Sequence, residues 1–377
     1  MLNAHLTNVG IKSALSFLPF FIFLIIENQG KNEFNDFSYF YSIFNIFYGF
    51  IGLPIYQFIL VNDNKGKLTS FFSLTHKLNL FTRLTLTVFA ILFYLLDLSE
   101  FCIIMISAIY SIYIASSAVT SRSNNFFNEI FTNIIFFIIL IIFINIIGYS
   151  STLPFLISSL FLLFFSISKD FLKDYEQTVF YFDAAELKLI APYILISGLG
   201  SLIAYGDMIL AVKFLEENDA YNYIWFNRAI LGSTILCVGF SNLLMSNNKI
   251  FSDYPRIIKI TFIAIATALI FSFVASGILR FIIDKIFLDS IFYIVVVIVV
   301  TKYITVFPSI ALVHANCQDL RIISTILASL FYAMSLIINS LLFGLDIWTL
   351  IFSILIYHLF IFVFNSFFIL KKQYLIT

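Results

Sequence analysis

Apolar residues follow one another along this chain in long unbroken runs, and short polar breaks separate the runs. The runs do not alternate with a period of two, as the strands of a membrane barrel would. A helix needs about 20 apolar residues to cross the hydrocarbon of a bilayer. Measured against that length, the pattern predicts twelve spans, at residues 9–27, 37–61, 78–96, 101–120, 127–147, 152–168, 189–213, 221–245, 257–279, 290–313, 321–343 and 347–369. The longest polar stretch, KDFLKDYEQTVFYFDAAELK at 169–188, divides them six and six. The expected fold is an all-α polytopic membrane protein. Its N-terminal six-helix bundle covers 1–168, a cytoplasmic linker 169–188, and a C-terminal six-helix bundle 189–377.

Composition agrees with that reading. Of the 377 residues, 61% are hydrophobic and 11% charged, where a soluble domain carries about 25% charged. The 21 basic and 21 acidic residues cancel, so nothing points to a nucleic-acid partner. The 49 phenylalanines fit the bias of an AT-rich genome better than a particular function. Cys102, Cys237 and Cys317 have no metal-ligand spacing and read as small buried hydrophobes. No cofactor or metal is implied. The first run, ALSFLPFFIFLII, is followed by Glu27, Asn28 and Gln29 rather than by a small-residue cleavage site, so it reads as a retained first span.

The loops orient the spans. With the N-terminus in the cytoplasm, fifteen basic residues fall on the inside. Four fall outside (Lys31, Lys213, Arg280 and Lys285), and Arg228 and Lys302 lie within spans. That asymmetry obeys the positive-inside rule and expects both termini in the cytoplasm. The outer loops are about ten residues or shorter, too short to hold the catalytic loop of a polysaccharide polymerase or a membrane glycosyltransferase, so an enzyme is not expected.

A charge at the centre of a spanning helix costs about 2.5–3.5 kcal/mol on insertion scales and so marks a partner or a wet cavity. Asp207 lies before the loop expected at Phe214–Ala220, and Arg228 lies after it. Counted from that loop, both sit on the order of 10 Å below the outer surface at 1.5 Å per residue. They are therefore expected to pair, as an ion pair or a gate. Small and polar residues share a face with each: Ser197, Gly200, Ser201 and Ala204 with Asp207, and Tyr221, Trp225, Gly232, Gly239 and Asn242 with Arg228. A similar stripe (Ser38, Tyr41, Ser42, Asn45, Gly49, Gly52, Tyr56) runs along the second span. Close helix packing is the simpler reading of its glycines and serines. Lys302 sits near mid-span with Thr305 and Ser309 on its face, and must reach an acid elsewhere or a polar lumen. Arg83, nearer a cytoplasmic end, is expected to snorkel. His358 is expected to be a hydrogen-bonded core residue. A lumen bordered by Lys12, Arg228 and Lys302 is cationic on balance and would hold phosphate best. The stretches NDFSYFYSIFN (35–45) and NDAYNYIWFNR (218–228) echo each other. A duplicated six-helix unit would produce that echo, with both copies in the same orientation.

Three stretches, NVGIKSALSFLPFFIFLI (8–25), NEFNDFSYFYSIFNIFYGFIGLP (32–54) and NDAYNYIWFNRAI (218–230), resemble the polysaccharide-transport branch of the multidrug/oligosaccharidyl-lipid/polysaccharide (MOP) exporter superfamily, and within it the O-antigen flippases of the Wzx type. Ala220 stands where that family's Gly-x-Tyr entry to the eighth span has glycine, and the chain is shorter than most members. The resemblance implies a V-shaped pair of six-helix bundles in the bacterial inner membrane. Spans one, two, seven and eight would line a cavity carrying Lys12, Asn45, Asp207 and Arg228. It implies a substrate, an oligosaccharide repeat unit on undecaprenyl pyrophosphate moved from the cytoplasmic to the periplasmic leaflet. A polysaccharide polymerase and a chain-length regulator are the implied partners, with the lipid bilayer as the medium. Lys302 rests on the depth argument alone. The alternative is a drug or small-molecule exporter of the same superfamily, which would need acids facing the lumen; only Asp207 is offered.

Overall fold

A computed structural model describes residues 18–61, 68–122, 127–147, 152–170, 184–233, helical residues between 262 and 277, 285–314 and 317–376. All the elements among them are helices. They are α1 (Leu18–Glu27), α2 (Lys31–Val61), α3 (Leu68–Leu95), α4 (Ser99–Arg122), α5 (Phe127–Ile147), α6 (Leu153–Asp170), α7 (Ala184–Phe214), α8 (Glu217–Ser233), α9 (helical residues between 262 and 277), α10 (Lys285–His314), α11 (Gln318–Phe343) and α12 (Ile347–Ile376). Each expected span meets one of these helices. Five of the described helices, α2, α7, α10, α11 and α12, are long and apolar enough to cross a membrane, and the chain is a multi-pass membrane protein.

The chain divides into two compact units, one of Phe21–Gly206, the other of Asp207–Thr377 with Met1–Phe20. The seam between them falls inside α7, between Gly206 and Asp207. Of the polar stretch 169–188, residues 171–183 lie outside the described residues.

In the first unit α4 is the central helix, packed on α2, α3, α5 and α6. The stripe of small and polar residues on α2 turns inward here and serves packing. Ser38 Oγ donates to the Phe34 carbonyl at 2.7 Å, Ser42 Oγ to Ser38 at 2.6 Å and Asn45 Nδ2 to Tyr41 at 2.7 Å. Each polar group is thus satisfied one turn back in its own helix, as a lipid-embedded segment requires. Ser107 of α4 donates across to the Phe44 carbonyl at 2.6 Å, and Ser197 of α7 to Gln57 Oε1 at 3.1 Å. Gly49 and Gly52 let the backbones close. A Cβ on Gly49 would strike Ser201 of α7 and stand 3.3 Å from the Ser197 carbonyl; one on Gly52 would stand 3.0 Å from Ser111 Cα of α4. Overpacking such a contact costs about 1–3 kcal/mol. Gly49→Leu is expected to lower the thermal stability of the detergent-solubilised protein by several degrees. Ser201→Gly is expected to restore part of the loss, read from the monodisperse fraction after heating.

Arg83 corrects an expectation. It does not snorkel; it is 2% exposed and its guanidinium lies 3.9 Å over the ring of Tyr113 on α4. A cation–π contact in desolvated surroundings is worth about 2 kcal/mol, and the stacked position holds α3 on α4.

In the second unit α12 and α10 pack on each other and on α8, and α11 lies against both α12 and α10. α11 is inverted relative to a soluble amphipathic helix. Ser324, Thr325 and Ala328 are buried, and Leu330, Met334, Ile337 and Leu341 are exposed. Its hydroxyls bind neighbours: Ser324 Oγ donates to Asn365 Oδ1 of α12 at 2.5 Å, and Asn365 Nδ2 donates to Ser309 Oγ of α10 at 2.8 Å. Asn365, 1% exposed, thereby ties three helices together. Gly344, at φ 85°, closes α11 with its N–H on the Ser340 carbonyl.

Candidate functional site

Two helices joined by Leu215 and Glu216 position the buried charges. α7 ends at Phe214, and α8 resumes at Glu217 with Glu217 and Asp219 in its first turn. Acidic side chains there favour the helix N-terminus. The break is therefore shorter than the loop the sequence suggests, and this changes which residues lie opposite one another. Asp207 is seven residues before the end of α7, and Tyr223 is six residues after the start of α8. At 1.5 Å per residue both lie about 10 Å from the turn. Arg228, eleven residues into α8, lies about 17 Å along it.

The hydrogen bonds follow that arithmetic. Asp207 is fully buried. Its Oδ2 accepts from Tyr223 Oη at 3.0 Å, and its Oδ1 accepts from Tyr332 Oη of α11. Asn227, one turn beyond Tyr223, hydrogen-bonds the Tyr223 hydroxyl. Arg228, 5% exposed, donates from Nη2 to Met208 Sδ at 3.3 Å. Asp207 is thus held here by tyrosine hydroxyls, and the guanidinium binds the side chain of the next residue along α7. Burying a carboxyl group without donors is very costly; two hydroxyls on separate oxygens reduce that cost.

Lys302 is half-buried on α10. Tyr303, the next residue, donates to the Ser233 carbonyl at the end of α8 at 2.9 Å. Thr305 returns its hydroxyl to the Thr301 carbonyl at 2.6 Å. Arg228 and Lys302 therefore belong to the same unit as Asp207. Asn45 belongs to the other unit, where its amide is bound to its own helix. Lys12 lies outside the described residues. Tyr223 and Tyr332 are not among the residues that the sequence singles out. A signal for Tyr223 exists, since it lies opposite Asp207 once the turn is read as two residues. Tyr332 comes from a helix far along the chain and leaves no local trace.

Solved transporters share this architecture. A multidrug resistance MATE family transporter of the MOP superfamily, in an outward-facing conformation, is 15% identical with a TM-score of 0.61; the match covers 98% of this chain and 96% of that one. Lipid II flippase MurJ, in an inward closed conformation, is 19% identical with a TM-score of 0.59 over 94% of this chain and 87% of its own. A MOP superfamily transporter from Pyrococcus furiosus is 14% identical with a TM-score of 0.60 over 98% and 96%. No family model matches the sequence, and no curated protein sequence matches it. At these identities the likeness is one of fold: the chain has the all-helical MOP-transporter architecture.

Proposed function

We propose that the chain is a flippase that moves an undecaprenyl-pyrophosphate-linked oligosaccharide, an O-antigen or similar surface-polysaccharide repeat unit, across the bacterial inner membrane by alternating access. The observation that carries the reading is Arg228, a guanidinium 5% exposed within a run of buried residues from Tyr223 to Ile230 on α8. Insertion of such a charge costs about 2.5–3.5 kcal/mol, and a planar fork of donors matches a phosphate better than any other anion group except a carboxylate. Lys302 adds a second cation in the same unit, and Lys12 and Asn45 complete the set carried by the family resemblance. The diphosphate would be held by Arg228 and Lys302 while the prenyl tail stays in lipid. Asp207 and Arg228 would act as an outer gate, closed when the two pair. The product would pass to a polymerase and a chain-length regulator, and both termini would face the cytoplasm.

A drug exporter of the same fold is the second reading, favoured by the buried carboxylate of Asp207, the group a cationic substrate would seek. Both oxygens of that carboxylate are taken by tyrosines, which weighs against it. Removing the gene from its host and resolving surface polysaccharide on a gel separates the two. A flippase loses the ladder and accumulates the lipid-linked oligosaccharide, and the cloned chain restores both. A normal ladder with lowered tolerance to cationic compounds would establish the exporter instead.

A further inference from the structure

Tyr332 lies on the inward side of α11, yet α11 packs broadly only on α12 and α10 among the described residues, with neither α7 nor α8 among its principal partners. The hydroxyl bond to Asp207 nevertheless reaches from α11 to the α7–α8 hairpin. We propose that Tyr332 is a latch: its bond to Asp207 docks α11 on that hairpin in the state described here, and its release lets α11 leave together with α12.

Four observations support the assignment. The neighbour Phe331 stacks on Phe360 of α12 with ring centroids 4.0 Å apart and planes at 6°, so the same turn of α11 is tied to α12 by a flat packed contact. Ser324 and Asn365 add a hydrogen bond between the same two helices. α11 and α12 thus form a pair fastened by packing; α12 touches α8 of the hairpin over a small area, and α11 meets the hairpin through a directional polar bond. A packed interface resists opening in proportion to its buried area. A single buried hydrogen bond instead biases a two-state equilibrium by up to about tenfold. Finally, release does not strip the carboxylate. Tyr223, which belongs to the hairpin and is itself bonded by Asn227, keeps Oδ2 occupied. Freed of Tyr332, Oδ1 can receive Arg228, whose guanidinium already rests on the adjacent Met208. The latch therefore supplies the step by which the gate of the proposed transporter changes partners, and it rests on the alternating-access reading.

The test measures distance without substrate, so it stands apart from the identity of the cargo. Spin labels go on Glu217→Cys at the start of α8 and Phe343→Cys at the end of α11, both exposed positions. Cys102, Cys237 and Cys317 are replaced, and the purified protein is placed in lipid nanodiscs. Pulsed dipolar spectroscopy of the otherwise native chain is expected to give one dominant distance. Tyr332→Phe, which removes a single oxygen, is expected to raise the share of a longer distance about tenfold. Asp207→Asn is expected to raise it as well, and the double variant no further than the larger of the singles, because both act on one bond. Tyr223→Phe is expected to leave the distance unchanged, since its bond lies within the hairpin. A distribution unmoved by both Tyr332→Phe and Asp207→Asn, additive effects in the double variant, or an equal shift from Tyr223→Phe would each overturn the latch.

Discussion

Arg228→Ala is expected to reduce translocation of the lipid-linked oligosaccharide by about a hundredfold while leaving the protein folded and in the membrane. Truncating one partner of a buried charge-assisted pair costs about 2–5 kcal/mol, and at 1.4 kcal/mol per tenfold the middle of that range is about two orders of magnitude. The effect is expected to be large because the substrate's diphosphate is multiply charged and the site offers few cations. Arg228→Lys keeps the charge and loses the fork, so an intermediate loss is expected. Surface polysaccharide resolved by gel, at matched expression, reads the result in cells. A full-length ladder from Arg228→Ala would remove the anion role assigned to this residue.

Asp207→Ala is expected to have the largest effect on stability. It leaves the buried Tyr223 hydroxyl without its acceptor, takes the acceptor from Tyr332, and opens a space in a fully buried position. An unsatisfied buried hydroxyl costs about 1–3 kcal/mol. Removing a buried carboxylate offsets some of this, because its desolvation cost disappears with it. The net expectation is a loss of about 2–3 kcal/mol, several degrees in the midpoint for loss of the monodisperse species. Asp207→Asn, whose amide still offers an oxygen to one tyrosine, is expected to cost about 1 kcal/mol. An Asp207→Ala variant as stable as the native chain would mean that the tyrosines find other acceptors at no cost.

These expectations rest unevenly on the sequence. The helices were legible because the bilayer imposes one length on every span, and an apolar run of that length is hard to mistake. The stripe on α2 was legible as packing because glycines at helical spacing admit a neighbouring backbone, and Gly49 and Gly52 do so. The partner of Asp207 was not legible. FLEENDA looks like a loop because it is acidic and polar, but the same acids stabilise the first turn of α8, and the early restart moves Tyr223 rather than Arg228 opposite Asp207. Arg83 was misjudged for a related reason: position along a helix suggests how far a side chain must reach for water, but not that Tyr113 of the next helix offers a ring at 3.9 Å.

The hydroxyl-lined side of α11 decides how that helix is rolled about its own axis. Its outer residues can exchange isoleucine for leucine or phenylalanine freely, since hydrocarbon tails accept any of them equally well. An AT-rich genome can therefore drift through Leu330, Ile337 and Leu341 at little cost, whereas the rotational setting is encoded by oxygen atoms, those of Ser324 and Tyr332. Sequence divergence in such a helix should accumulate on one side only, and a comparison weighted by hydrophobic identity would read as noise the very residues that keep the helix facing the right way.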